Sequence, residues 1–225
     1  MMRYTRNRST ISEEENEVLK ASKVCVIGCG GLGGYVIEML GRIGVGTITA
    51  IDGDVFDETN LNRQILSDTD TIGYSKAVIA KKRMALVNPE ILVKPINEFL
   101  TVDNAEELLR EHHVIVDALD QIHTRFLVQD IAEKLKTPFV YGAIAGWYGQ
   151  VSTIFPGDRT LNKIYKNNTP KGKEKLLGNP SFTPALASSI QVSEVIKVLL
   201  HRGELLRNKL LFINLLEQEY EVIDL

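Results

Sequence analysis

Cysteine is scarce in this sequence. The 225 residues contain two cysteines, Cys25 and Cys29, and none after them. Both fall within a predicted strand and the glycine-rich turn that follows it, where a disulfide bridge would distort the turn. We therefore expect both thiols to be reduced, as is usual for a cytoplasmic protein.

Long apolar runs and an excess of basic charge are also missing. No hydrophobic run approaches the ~18 residues that a membrane span needs, and the polar N-terminus lacks the apolar core of a signal peptide. The net charge is −3, and the basic residues are spread along the chain. Proteins that bind phosphate backbones or membrane surfaces concentrate positive charge. We therefore expect a cytoplasmic protein with no membrane or nucleic-acid partner, although a small RNA substrate stays open.

Common catalytic signatures are absent as well. The four histidines, His112, His113, His123 and His201, show no metal-ligand spacing. The sequence has no pattern of a catalytic triad and no Gly-Lys-Ser/Thr loop of the P-loop kind. We interpret the histidines as surface or structural residues.

What the sequence does contain is an α/β pattern. With 44% hydrophobic residues, the chain can bury one substantial core, so we take residues 1–225 as a single domain. Strand and helix patterns alternate up to about residue 135, which predicts a parallel sheet. The strand-like runs 139–145, 150–155, 209–215 and 220–224 predict antiparallel pairing. The expected fold is Rossmann-like, with a mixed, mainly parallel sheet of seven or eight strands and antiparallel C-terminal strands.

Two segments lie outside this pattern. Residues 1–11 form a polar arm, of which the first seven are expected to be free, before a capping box at Ser12 and Glu15 opens a helix. Residues 157–180 are long and polar for a loop, so they form either a mobile functional flap or a poorly ordered segment. Thr183 and Pro184 then predict the start of a helix.

The most informative stretch is a glycine-rich turn in residues 24–34. Gly28, Gly30 and Gly33 fit G-x-G-x-x-G: the first permits a tight turn, the second lets the backbone approach a phosphate, and the third lets the helix pack closely on the sheet. The helix that follows would direct its unpaired N–H groups at an anion. Asp52 ends the next predicted strand, where a carboxylate can accept hydrogen bonds from ribose hydroxyls.

Three further charged residues extend this site. Asp120 follows the predicted strand 114–119 and is either a helix-capping carboxylate or a metal ligand. Arg63 is either a solvated loop arginine or a phosphate-binding cation. Lys76 lies in the first turn of a predicted helix, where the dipole disfavours a cation unless an anion is nearby. Because ligands lie outside the carboxyl ends of strands in such sheets, we expect these residues to share one cleft.

Taken together, these motifs resemble the ThiF/MoeB/HesA family, the bacterial relatives of ubiquitin-activating enzymes. The matching stretches are residues 3–6, 28–33, 51–54, 59–65, 73–76, 88–89, 116–120 and 141–151. The resemblance implies an enzyme that binds ATP and Mg²⁺ and adenylates the C-terminal glycine of a ubiquitin-like (β-grasp) sulfur carrier protein ending in diglycine. Such carriers serve thiamine, molybdopterin or related sulfur-cofactor synthesis.

The resemblance also implies roles for individual residues. Asp120 would hold magnesium, and Arg6 on the arm would enter the site of a partner subunit in a homodimer. The catalytic set would be Arg6, Arg63, Lys76 and Asp120. The nucleotide-binding set would be Gly28, Gly30, Gly31, Gly33, Asp52, Asp54, Asn60, Arg63, Gln64, Lys76, Asp120 and Gln121. Residues 157–180 would be the crossover loop over which the tail of the carrier threads.

This set of residues agrees with adenylation chemistry. A C-terminal carboxylate has a pKa of about 3.3–3.7 and is ionised at neutral pH, so it can attack the α-phosphorus without a general base. The site must then neutralise charge and align the reactants as pyrophosphate leaves.

The sequence departs from the family in three places. Many members carry two C-x-x-C pairs for a structural zinc, and here no cysteine follows Cys29, so we expect no zinc. For the same reason, no later cysteine can form a thioester or persulfide with a carrier. The family's Asp-Asn pair appears as Asp120 and Gln121, which weakens the expected nucleotide contact of Gln121.

Several alternatives stay open at this stage. The glycine motif with Asp52 would also suit an NAD-dependent oxidoreductase. Within the family, the substrate could be a small-molecule or tRNA-linked carboxylate, as in threonylcarbamoyladenosine dehydratases. The chain could also be a binding module without turnover, and Arg6 could be a solubilising charge rather than a residue that acts in trans.

Overall fold

A computed structural model describes residues 2–165 and 177–225. Its centre is a single eight-stranded sheet. In chain order the strands are β1 Lys23–Ile27, β2 Thr47–Ile51, β3 Leu92–Ile96, β4 Val114–Asp117, β5 Phe139–Ala145, β6 Tyr148–Ile154, β7 Lys209–Asn214 and β8 Glu219–Asp224.

Helices flank the sheet. Short 3₁₀ helices span Met2–Asn7 and Glu58–Asn60. The described α-helices are α1 Glu13–Ala21, α2 Gly31–Ile43, α3 Lys76–Val87, α4 Ala105–Leu109, α5 Ile122–Leu135, α6 Thr160–Ile164 and α7 Phe182–Leu200. The predicted capping box of Ser12 and Glu15 is present at the start of α1. No described helix combines the length and hydropathy needed to cross a bilayer.

The strand order is β3-β2-β1-β4-β5-β6-β7-β8. The pairings among the first five strands are parallel, and the last three pairings are antiparallel. This confirms the predicted fold class. After β3 the chain returns past β2 and β1 and forms β4 on the other side of β1. The direction in which successive strands are added to the sheet therefore reverses between β1 and β4. Ligands of such sheets bind at this switch point.

The apolar run of β1 is explained by burial on both faces. Val24 and Val26 belong to a core cluster that also contains residues of α2, α3 and α7. Cys25 and Ile27 face the opposite cluster, which contains residues of α4, α5 and α6. Successive side chains of a strand point to opposite faces, so a strand covered on both sides is apolar throughout.

Three expectations about the elements need correction. Strand β4 ends at Asp117 rather than at residue 119, so Asp120 lies in the following loop. Helix α7 begins at Phe182 with Ser181 as its N-cap residue, and the Thr183 hydroxyl donates to the Gly146 carbonyl at 2.6 Å rather than capping the helix. The predicted loop 157–180 contains α6, and residues 166–176 lie outside the described part of the chain.

The N-terminal arm is not free, contrary to expectation. Arg3 Nη1 donates to the Val87 carbonyl at 2.6 Å, and Asn88 Nδ2 donates to the Tyr4 hydroxyl at 2.8 Å. The Tyr4 ring covers Gly44 so closely that an added Cβ there would lie 2.8 Å from the phenol. These contacts lie near the amino ends of β2 and β3. A polar segment can therefore dock through one aromatic ring and a few hydrogen bonds.

The glycine turn between β1 and α2 is packed against two backbone segments. Gly28 has φ +94°, and an added Cβ would lie 2.5 Å from the Ala118 carbonyl oxygen. At Gly33 an added Cβ would lie 1.7 Å from the Gly28 carbonyl oxygen. At Gly31 the nearest atoms would be 3.6 Å away, which is ordinary contact. The first and third glycines thus have the structural roles that the motif predicts.

We expect Gly33→Ala and Gly31→Ala to affect folding very differently. The added methyl at Gly33 meets a backbone carbonyl that cannot rotate away, so the unfolding free energy should fall by about 3 kcal/mol or more. At Gly31 the change should stay within about 0.5 kcal/mol. Denaturant unfolding of both variants measures this, and a Gly33→Ala protein as stable as wild type would contradict the packing described above.

Candidate active site

The N-terminus of α2 is open toward the carboxyl edge of the sheet. Gly30 is its N-cap residue and makes no side-chain capping bond. The first N–H groups of a helix have no partner within the helix and carry its positive dipole end. An added Cβ at Gly31 would lie 3.6 Å from Pro184 Cβ and 3.8 Å from Arg63 Cγ. The start of α7 and the stem of Arg63 therefore border this anion-binding position.

Asp52 is attached directly to the glycine turn. Its Oδ2 accepts the Cys29 N–H at 2.7 Å, and its Oδ1 accepts the Asp54 N–H at 2.8 Å. Burial raises the pKa of Asp52, while the two backbone N–H groups and the Lys76 charge oppose that rise. A carboxylate oxygen can accept more than one hydrogen bond. The fixed carboxylate can therefore also receive a hydroxyl donor from a ligand.

Lys76 is a buried cation close to the Asp52 carboxylate. It is the first residue of α3 and is only 7% exposed. Its Nζ lies 3.3 Å from Asp54 Oδ2, and its backbone N–H donates to the Asp54 carbonyl at 3.1 Å. A lysine is seldom buried unless it is paired. Asp54, which is exposed, supplies that pairing.

The loop after β2 supplies Asn60, Arg63 and Gln64. Arg63 Nη1 donates to the Thr59 carbonyl and to Asn62 Oδ1, both at 2.9 Å. Asn60 is buried, and its Oδ1 accepts the Asp57 N–H.

Gln64 lies against the glycine turn. It is 5% exposed, and its Nε2 would be 3.5 Å from a Cβ added at Gly30. Its buried Oε1 has no hydrogen-bond partner among the described residues. An unsatisfied buried oxygen is costly, and here it lies next to the glycine that the motif assigns to phosphate approach.

Asp120 lies in the loop beside the glycine turn. The Ala118 N–H donates to the Ile27 carbonyl at 3.0 Å, which holds the start of this loop against the end of β1. Asp120 is exposed, and its carboxylate has no partner in the described part of the chain. Helix α5 has Gln121, not Asp120, as its N-cap residue, and no side chain caps it. Of the two alternatives for Asp120, the capping role is therefore not observed.

Arg6 is the one predicted site residue that lies elsewhere. Its arm is docked at the amino ends of β2 and β3, whereas the glycine turn, Asp52 and Asp120 lie at the carboxyl ends. Strand β2 has five residues, so the two edges are about 17 Å apart. Within this chain, Arg6 does not join the site.

Two buried residues beneath the site were not predicted. Arg125 of α5 is 1% exposed and lies against Asp117, the last residue of β4. Gln191 of α7 donates to the Asp117 carbonyl at 2.8 Å. A signal for Arg125 was available, because it shares a helical face with Val128 and Ala132, at the i, i+3 and i+7 positions of a buried stripe.

Both thiols are buried and unpaired, as expected from the sequence. Burial raises the pKa of Cys29 well above its usual value, and the Asp52 charge acts in the same direction. A thiol that stays protonated is a poor nucleophile. Cys29 is therefore a small packing residue of the turn.

The described residues contain no group of three His, Cys, Asp or Glu side chains placed to hold a metal ion together. A magnesium ion does not need such a group when a nucleotide is present. It commonly binds one or two carboxylates, substrate phosphates and water. The unpartnered carboxylate of Asp120 beside the anion-binding turn fits that pattern.

Comparisons with known proteins agree with this geometry. The chain is 31% identical over 226 residues to the SAMP-activating enzyme E1 of Haloferax volcanii, covering 98% of this chain and 84% of the relative. It is 35% identical to the sulfur carrier protein adenylyltransferase of Thermus thermophilus, covering 93% of this chain and 81% of the relative. Other relatives are longer, and the chain spans 54% of one and 60% of another.

Solved structures support the fold. The structure of E. coli MccB with AMPCPP and MccA has a TM-score of 0.84 at 22% identity, covering 99% of this chain and 71% of that one. The model of the ThiF family matches residues 4–225. The resemblance predicted from the sequence motifs is thus confirmed, and the chain belongs to the ThiF family.

Proposed function

We propose that this protein is an ATP-dependent adenylyltransferase that activates the C-terminal glycine carboxylate of a ubiquitin-like sulfur carrier protein. The observation that carries the proposal is the convergence of an open helix N-terminus, a fixed carboxylate and two cations at one edge of the sheet. The relatives are named as activating or adenylyltransferase enzymes. The two cations at this edge and the names of the relatives both favour ATP as the bound nucleotide, rather than the NAD that an oxidoreductase would bind.

The nucleotide occupies the switch point in this proposal. Asp52 accepts the ribose hydroxyls, because its carboxylate is already oriented by the Cys29 and Asp54 N–H groups. The N–H groups at the start of α2, near Gly30 and Gly31, receive the phosphates. The Gln64 amide lies beside Gly30, and its Nε2 group can donate to a phosphate oxygen there.

Lys76 and Arg63 neutralise the triphosphate. A phosphate would compete with exposed Asp54 for the Lys76 ammonium, which lies 3.3 Å from the Asp54 carboxylate. Among the described residues, the Arg63 guanidinium is held by two neutral acceptors, the Thr59 carbonyl and Asn62 Oδ1. It can therefore exchange them for a charged phosphate oxygen, which forms a stronger hydrogen bond.

The reaction needs no residue to remove a proton. A carboxylate oxygen of the carrier forms a bond to the α-phosphorus, and the bond between that phosphorus and the bridging oxygen of pyrophosphate breaks. The departing pyrophosphate takes the electron pair of that bond. Once they hold the triphosphate, Lys76 and Arg63 are in place to stabilise this charge during the chemical step.

Asp120 and Gln121 complete the site in the loop after β4. Asp120 would hold the magnesium ion, and Gln121 would lie at the nucleotide. When bound, Mg²⁺ would supply positive charge that stabilises the departing pyrophosphate. The contribution of this chain would be the single exposed carboxylate of Asp120.

In a homodimer, each subunit would supply its Arg6 to the site of its partner. The arm docks at the far edge of its own sheet, about 17 Å from its own site. The guanidinium is exposed and has no partner among the described residues, so it is available to a neighbouring molecule. In a C₂ dimer, each arm would then complete the site of the other subunit.

The proposed reaction ends with the acyl-adenylate of the carrier as its product. No cysteine follows Cys29 in this sequence, and the Cys29 thiol is buried with a raised pKa. Sulfur transfer to the activated carrier would therefore not use a cysteine of these 225 residues.

Pyrophosphate–ATP exchange with candidate carriers tests the reaction. Wild type should catalyse exchange only when a carrier ending in diglycine is present. Lys76→Gln should lower the exchange rate about 10²–10³-fold, because it removes one donor to the transition-state charge. Lys81→Gln, an exposed lysine on the same helix, should leave the rate unchanged.

Other outcomes distinguish the alternatives. Exchange with a small-molecule or tRNA-linked carboxylate instead of any carrier would favour the second class of substrate. Thermal stabilisation by Mg-ATP without any exchange would identify a binding module.

A mixing experiment tests the contribution of Arg6 in trans. Arg6→Ala and Asp120→Ala should each be inactive as homodimers. Their co-expressed mixture should recover about a quarter of wild-type specific activity, since half of randomly assembled dimers are heterodimers with one complete site each. Failure to recover activity, or an active Arg6→Ala homodimer, would show that the arm does not act this way.

A further inference from the structure

A buried polar cluster lies directly behind the loop that carries Asp120. It contains Asp117 at the end of β4, Arg125 on α5, Tyr141 on β5 and Tyr165 after α6. Asp117 and Arg125 are 0% and 1% exposed, and Asp117 Oδ2 lies 3.6 Å from Arg125 Nε. Burying two charges is costly unless each gains partners.

The cluster holds both polar backbone groups of Leu119, the residue before Asp120. Asp117 Oδ1 accepts the Leu119 N–H at 2.9 Å. Arg125 Nη2 donates to the Leu119 carbonyl oxygen. The backbone on the N-terminal side of Asp120 is thus fixed, although the Asp120 side chain itself is exposed.

The tyrosines in turn fix the guanidinium. Arg125 Nη1 donates to the Tyr165 hydroxyl at 2.8 Å and to the Tyr141 hydroxyl at 3.4 Å. The guanidinium carbon lies 5.2 Å from the centre of the Tyr141 ring. The two hydroxyls are 2.8 Å apart, and the Tyr141 hydroxyl also donates to Gln150 Oε1 at 3.1 Å. The planar fork of arginine is required to reach both Leu119 and the tyrosines at once.

We propose that Arg125 is a positioning residue for metal binding: through the Leu119 carbonyl it holds Asp120 where a nucleotide-bound magnesium ion needs a carboxylate. This inference rests on the proposed function. The Asp120 side chain makes no hydrogen bond or ion pair with the described residues, whereas the backbone of Leu119 before it is held by Asp117 and Arg125. Residues that orient a metal ligand commonly change metal affinity 10–100-fold when they are altered.

Calorimetric binding of AMPCPP, an ATP analogue that cannot release pyrophosphate, tests the proposal. The measured quantity is the ratio of its dissociation constants in EDTA and in saturating Mg²⁺. This ratio reports the coupling between metal and nucleotide, which is reciprocal. Asp120→Ala provides the reference for a lost metal ligand.

Arg125→Lys keeps the charge but loses the fork, so the ratio should fall about tenfold while the affinity in EDTA stays at the wild-type value. Tyr165→Phe removes one hydroxyl that holds the guanidinium, and the ratio should fall about threefold. Tyr220→Phe, an exposed tyrosine on the edge strand β8, should leave the ratio unchanged. Tyr165→Phe keeps the proposal testable if Arg125→Lys does not fold.

A structural role alone would give a different result. If either variant lowers the thermal midpoint but keeps the wild-type ratio, the positioning role is refuted while the proposed function stands. If wild-type protein does not bind AMPCPP, or binds it without any effect of Mg²⁺, the proposed function itself fails at its nucleotide or metal site.

Discussion

The close backbone contact between Gly33 and Gly28 is the constraint on which the rest of the site depends. It lets α2 begin immediately behind β1, so that its first N–H groups point across the switch point of the sheet. Gly28 makes a second such contact with Ala118. The same turn therefore brings together the N-terminus of α2 and the loop that carries Asp120. A side chain at either glycine would separate the two.

The charged groups of the site are held in place by backbone rather than by each other. Asp52 is oriented by two N–H groups, and the Asp120 loop is held through Leu119 by a buried arginine. Lys76 instead pairs directly with a carboxylate, that of exposed Asp54. This arrangement would leave the cations available to phosphates, while the Asp52 carboxylate and the backbone before Asp120 keep fixed positions. It suits a reaction that requires alignment and charge neutralisation but no proton transfer.

Much of this could be predicted from the sequence, because the strongest local patterns coincide with the site. The bounds of α2 and β2 follow from the glycine motif and the apolar runs, and Ser12 and Glu15 form the expected capping box. The end of β4 could not be found from hydropathy, because Ala118 and Leu119 are apolar although they leave the strand. Docking of the arm was missed, since a single Tyr4 ring gives no periodic signal. Arg125 was missed because an arginine in a helix is usually solvated, and only its position on the stripe of Val128 and Ala132 indicates burial.

The central claim is that a carrier carboxylate attacks the α-phosphorus at this site without assistance from a nucleophilic residue. An isotope experiment tests it most directly: a candidate carrier labelled with ¹⁸O in its C-terminal carboxylate is incubated with the enzyme and ATP, and the product is trapped with hydroxylamine. Hydroxylamine attacks the acyl carbon, so AMP should gain one ¹⁸O atom and pyrophosphate should contain none. Label in pyrophosphate or inorganic phosphate, or unlabelled AMP alongside trapped carrier, would contradict the account.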